Sequence, residues 1–260
     1  MPAMSVRAVT LAAIGLALVL VSPSTGTSAP LTVAAASDLQ GVMPEIAARF
    51  QRSTGQALRV SYGSSGQFLS QIQNGAPVDV FLSADDAYVW RLVESGHADR
   101  STVTPYATGR LALWTRTDRG LDLTNGLSSL GDPRIRRIAV ANPEHAPYGR
   151  AAVEALRRAG VYDRVRTKLV LGENVSQAAQ FAQTGNADVA LIALSLTLTP
   201  AMRASGHGVE IAPAAYPPIR QTGVVVTRST NAELGRQFLA FLIQPDVAAL
   251  LGDSGFGVRP

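Results

Sequence analysis

"VSYGSSGQFLSQIQNGAPVDVFLSADDAYV", residues 60–89, contains two strand-to-helix steps in succession. The stretches at 57–63 (ALRVSYG) and 78–84 (VDVFLSA) have the length and β-branched or aromatic content of strands. Those at 64–76 (SSGQFLSQIQNGA) and 85–96 (DDAYVWRLVESG) read as helices that follow them. Strands alternating with helices call for α/β layers in which neighbouring strands run largely parallel.

The same alternation extends in both directions. Upstream lie a strand at 31–37 (LTVAAAS) and a helix at 38–55 closing on Gly55. Pro44 sits early in that helix, so either the first turn is separate and Pro44 restarts it, or the helix bends there. Downstream, 107–116 (ATGRLALWTR), 136–142 (RRIAVAN), 167–172 (TKLVLG), 187–194 (ADVALIAL) and 221–228 (QTGVVVTR) read as strands. Helices are expected at 148–160, 174–185, 231–244 and 245–255. Two β-α-β-α-β runs result, at 31–84 and 136–194, with extended segments near 106–114 and 220–228. The expected architecture is α/β in two lobes, each a mostly parallel sheet flanked by helices, joined by two crossing hinge segments. Residues 30–105 plus 222–260 form the first lobe and 106–221 the second, with the C-terminal helices on the first.

Composition narrows the function. The chain has 260 residues, 47% of them hydrophobic, enough for a sizeable core. Net charge is +4, and 22 of the 23 basic residues are Arg, but they are scattered and form no dense basic run. A nucleic-acid partner therefore has little support. Residues 1–29 carry Arg7, an apolar run from Val9 to Val21, then small residues, which is a secretory signal pattern. The run is too short for a comfortable membrane span, and cleavage is expected between 26 and 30. There is no cysteine, hence no disulfide, thiolate metal site, thiol nucleophile or lipid-bearing cysteine. A soluble, exported, periplasmic protein is the simplest reading, with no cofactor and a monomeric state expected.

Four helix starts share one character. "SDLQ" (37–40) and "SSGQ" (64–67) fit a capping box, and "NVSQ" (174–177) is a looser version with Asn as cap. "NPEHAPYG" (142–149) enters its helix through Pro147, Tyr148 and Gly149. All four follow strands, where open α/β sheets bind ligands. Helix starts expose amides without intrahelical partners and carry partial positive charge. Two from each lobe, aimed at one point, suit an anion clamped between lobes without Lys or Arg. Plain capping is the competing account of each start taken singly.

With "LTVAAASDLQ", the 60–89 stretch, "NPEHAPYGRAAVEAL", "GENVSQAAQFAQTGNADVALIALS" and "SGFGV" in view, the chain from Leu31 onward resembles the periplasmic molybdate-binding proteins of ABC importers. The resemblance implies a type II two-lobed periplasmic-binding-protein fold and capture of molybdate or tungstate for an inner-membrane permease and its ATPase. It implies ligand contacts from the hydroxyls of Ser37 and Ser65 and the amides of Asp38, Tyr148 and Val175. The metal would be held only as its oxyanion. Some members carry a tyrosine where this chain has Ala193. Tyr148 is expected to offer its amide and to fill part of that space with its ring or hydroxyl. Asp38 is the one carboxylate beside the expected shell, and its side chain is expected to face free helix amides or solvent.

Other readings are weaker. A sulfate, thiosulfate or phosphate receptor would share the fold. A secreted serine hydrolase needs a base beside Ser37 or Ser65, and no His is near either in sequence. No enzymatic activity is expected. "GDSGFG" (252–257) reads as a turn after the last helix, His145 as a loop residue, Asp85 and Asp86 as helix-start acids, and Trp90 and Trp114 as core or hinge packing.

Overall fold

The computed structural model describes residues 29–258. The expected signal segment lies outside them, apart from Ala29. Among the described residues, ten strands form two five-stranded sheets. The first holds β1 (Leu31–Ala36), β2 (Leu58–Gly63), β3 (Val80–Ser83), β4 (Thr104–Gly109) and β10 (Ile219–Val225), in the order β2-β1-β3-β10-β4. The second holds β5 (Leu111–Arg116), β6 (Ile138–Ala141), β7 (Leu169–Gly172), β8 (Val189–Ala193) and β9 (Gly206–Glu210), in the order β7-β6-β8-β5-β9. In each, four strands run one way and one, β10 or β5, runs against them.

The helices are α1 (Met43–Thr54), α2 (Ser65–Gln73), α3 (Asp86–Glu94), α4 (Pro147–Arg158), α5 (Tyr162–Val165), α6 (Val175–Gln183), α7 (Leu194–Thr197), α8 (Pro200–Ser205), α9 (Ala232–Leu242) and α10 (Pro245–Asp253). The Pro44 alternative resolves toward a separate first turn. Ser37–Gly41 is a 3-10 turn, and α1 starts afresh with Pro44 in its first two positions, where the missing N–H breaks no bond. Gly55 ends α1 in the left-handed conformation. Met43, Ile46 and Phe50 form its buried stripe, and Phe50 meets Phe238 and Phe241 of α9 edge-to-face. That aromatic contact packs α9 against α1.

Two readings of strands need correction. The stretch 107–116 is not one strand. It breaks at Arg110, with β4 pairing β10 in the first sheet and β5 pairing β8 and β9 in the second. β9 (GHGVE) was missed, because two glycines and a histidine give it no apolar alternation. The chain leaves the first sheet at Arg110 and re-enters it at Ile219, so two segments cross between lobes. Arg110 pairs with Glu210, and the Tyr216 hydroxyl accepts the Leu111 amide at 2.9 Å. These contacts tie one crossing segment to the other.

Candidate functional site

The carboxyl ends of β1, β2, β6 and β7 each lead into a helical turn, and the four turns meet between the lobes. Two are capped as the sequence indicates. Ser64 Oγ accepts the Gln67 amide at the start of α2, and Asn174 Oδ1 accepts the Gln177 amide at the start of α6. The α4 start relies on Pro147 and has no side-chain cap. Gly149 is required there. A Cβ on it would stand 2.2 Å from the Ala141 carbonyl oxygen, so only glycine lets the turn sit on the end of β6.

The Ser37 capping box does not form. Ala36 occupies the cap position and no side chain caps the turn. A five-residue 3-10 turn closes its own i→i+3 bonds. Ser37 instead reaches across to the second lobe, where its Oγ accepts the Ser176 amide of α6 at 3.3 Å. Ser65 Oγ accepts the Ala84 amide at 3.0 Å. Each hydroxyl therefore receives a hydrogen bond from backbone and keeps its own proton to give.

Ser37, Asp38, Ser65, Tyr148 and Val175, the five residues expected from sequence, all line one small cavity. All five are buried. Ser65, Tyr148 and Val175 lie in the first turns of α2, α4 and α6, where amides have no intrahelical acceptor. No Lys, Arg or His is among the lining residues.

Asp38 does not face solvent. It is 0% exposed, and its Oδ2 accepts the Tyr148 hydroxyl at 3.0 Å and the side-chain amide of Gln221. The amides of Asp38 and Leu39 also favour the charged form, so the helix-amide alternative is met in part. Oδ1 has no partner among the described residues. Burial is the largest influence and pushes the carboxyl up to about 6. The Tyr148 hydroxyl is pushed well above its ordinary range by burial and by the neighbouring carboxylate. Tyr148 lines the cavity, and its hydroxyl is committed to Asp38. Ala193 lies buried at the end of β8.

Sequence reading missed Gln221, Tyr106 and Ser195. Gln221 is a fully buried polar residue in β10, and its Oε1 accepts the Tyr106 hydroxyl at 3.1 Å. Ser195 Oγ donates to the Asp38 carbonyl at 2.8 Å. The one sequence signal was Gln221 heading the apolar run GVVV.

The remaining residues sort differently from expectation in two cases. His145 is more than a loop residue, since its Nδ1 lies 2.8 Å from Ser64 Oγ of the other lobe. Trp90 is partly exposed, under the Arg100 guanidinium, whereas Trp114 is buried in β5. Asp85 caps α3 by accepting the Ala87 amide. Gly252–Gly257 does form the end of α10 and the turn after it.

The profile of the family described as "Bacterial extracellular solute-binding protein" matches residues 31–257. The chain is 34% identical to the molybdate-binding protein ModA of Azotobacter vinelandii over 232 residues, which is 89% of this chain and 91% of that protein. It is 33% identical to ModA of Rhodobacter capsulatus, with 94% of each chain covered. The solved structure of the Azotobacter vinelandii periplasmic molybdate-binding protein superposes with a TM-score of 0.81 at 30% identity, covering 88% of this chain and all of that one. These are binding proteins, not enzymes, and no catalytic reading of Ser37 or Ser65 survives. The chain belongs to the bacterial extracellular solute-binding protein family and is similar within it to the ModA proteins.

Proposed function

We propose that this chain captures molybdate, and tungstate with it, in the periplasm and delivers the anion to an ABC-type membrane permease. One observation carries the reading. The interlobe cavity is lined by two hydroxyls with free protons and by first-turn amides, and the only carboxylate beside it is turned onto Tyr148 and Gln221. Donors without acceptors suit an anion that is fully deprotonated at neutral pH. Phosphate usually keeps a proton and calls for an acceptor, and the one carboxylate among the lining residues, Asp38, has its Oδ2 taken by Tyr148 and Gln221. Sulfate has the right charge and a smaller radius, so cavity size must discriminate against it.

The magnitudes are adequate. Three α-helix starts at about half a charge each place roughly +1.5 at the cavity, and the 3-10 turn adds less. Hydrogen bonds to a charged group contribute roughly 1.5–3 kcal/mol each. Half a dozen exceed the roughly 8–11 kcal/mol of micromolar to tens-of-nanomolar binding, leaving a margin for desolvation and closure. Calorimetric titration with molybdate, tungstate, sulfate and phosphate tests the proposal. Saturable heat with the two metal oxyanions is expected, and no heat with either overturns it.

A further inference from the structure

The turn that brings Tyr148 to the cavity is gripped by the first lobe on both sides of that residue. On one side, the His145 carbonyl accepts the Gly66 amide at 2.9 Å and the Ser64 hydroxyl at 3.1 Å, with His145 Nδ1 also 2.8 Å from that hydroxyl. On the other side, Arg150 makes an ion pair with Asp85 and donates to the Tyr88 hydroxyl at 2.7 Å, its guanidinium lying over the Tyr88 ring. Ser64, Gly66, Asp85 and Tyr88 belong to α2, α3 and their caps in the first lobe. His145 and Arg150 belong to the second.

The Gly66 contact is a helix cap supplied by the opposite lobe. Ser37 does the reverse, accepting the Ser176 amide of α6 from the first-lobe side. Each lobe thus satisfies a helix-start amide of the other, and separating the lobes would return those amides to water. The fit at Gly66 is close. A Cβ there would stand 2.7 Å from the His145 carbonyl oxygen and 2.9 Å from the His145 Cβ. Neither His145 nor Arg150 lines the anion cavity.

We infer that His145 and Arg150, on either side of Tyr148, form a latch that holds the lobes together without themselves lining the anion cavity and sets how long a captured anion is kept. The residence-time half of this rests on the oxyanion reading. The latch half does not. Two variants separate them. Arg150→Met removes the ion pair and the Tyr88 hydrogen bond from a partly exposed position. Gly66→Ala leaves α2 a better helix former while obstructing the His145 contact.

Interlobe distance is measured first by fluorescence energy transfer between one dye on each lobe, with no anion added. The wild type is expected to populate a closed form, and both variants to shift toward a longer distance while keeping a cooperative thermal transition. An anion-free wild type that is wholly open, or variants with an unchanged distance, overturns the latch. Stopped-flow dissociation of molybdate is then expected to speed up roughly three- to tenfold in each variant, with association within about twofold of wild type. Unchanged dissociation in both variants overturns the residence role and leaves the oxyanion reading standing. Absence of molybdate binding by the wild type defeats that reading, while the anion-free distances still decide the latch.

Discussion

The hydroxyl of Tyr148 donates to the carboxylate of Asp38 across the boundary between lobes, at 3.0 Å. Asp38 ends the first strand's exit from one lobe, and Tyr148 opens α4 in the other. Both residues line the cavity, and their side chains bind each other. A negative charge thus sits next to the proposed anion site. Its repulsion is moderated by two donors, Tyr148 and Gln221, and by burial that favours the protonated form.

That arrangement predicts a pH dependence of stability. The Asp38 carboxyl rises from 3.8 to about 6 on folding, so between these values the folded chain binds more protons than the unfolded one. Stability from this group is therefore full at low pH and falls as pH rises through 6. Between pH 5 and pH 7.5 the loss is on the order of 1 kcal/mol. Asp118, exposed, and Asp99 and Asp132, partly exposed, are held low by their partners and act in the opposite sense, at lower pH. Asp38→Asn is expected to flatten the melting temperature between pH 5 and 7.5 and to bind molybdate more tightly at the upper end. An unaltered slope in that variant would remove Asp38 as the cause.

Tyr148→Phe separates two roles of one residue. It keeps the amide and ring but leaves Asp38 short of a donor. Removing one of the two side-chain donors to a buried charged acceptor costs roughly 1–3 kcal/mol, so the melting temperature should fall by several degrees. Molybdate affinity should stay within about threefold of the wild type. The opposite result, a large affinity loss with stability intact, would mean that the hydroxyl contacts the anion.

Ser37→Ala and Ser65→Ala each remove a hydroxyl whose proton is free to face the cavity. Each is expected to weaken molybdate binding by about 1.5–3 kcal/mol, measured by calorimetry. Affinity unchanged in both would show that the amides alone hold the anion.

The helix starts that build the cavity were readable because their signals are local. Ser64 with Gln67, Asn174 with Gln177, and Pro147 at the opening of α4 all act within three or four residues. What the chain does with Asp38 was not readable in the same way. Its partners Tyr148 and Gln221 lie 110 and 183 positions away, and nothing near Asp38 distinguishes a side chain facing solvent from one buried behind the site. Ser37 misled for a related reason. Its sequence fits a capping box, but the turn is 3-10, and its hydroxyl finds a partner 139 residues on in the other lobe. The break at Arg110 was hidden because strand-like sequence continues on both sides of it. Only the change of pairing partner, from β10 to β8 and β9, divides the strand.

Gln221 offers the most specific test of this buried polar chain. It donates to Asp38 and accepts from Tyr106, linking both crossing strands to the start of the first anion-facing turn. Gln221→Leu removes a bond that favours the charged carboxylate and strands the Tyr106 hydroxyl without its acceptor. The cost in stability at neutral pH should be about 2–4 kcal/mol, from two buried groups losing partners. Losing a stabilising donor also raises the Asp38 carboxyl further, so the pH-dependent fall in stability should move above pH 6. Equilibrium denaturation across pH 5 to 8 measures both effects. A variant destabilised equally at every pH would show that Gln221 acts through packing rather than through Asp38.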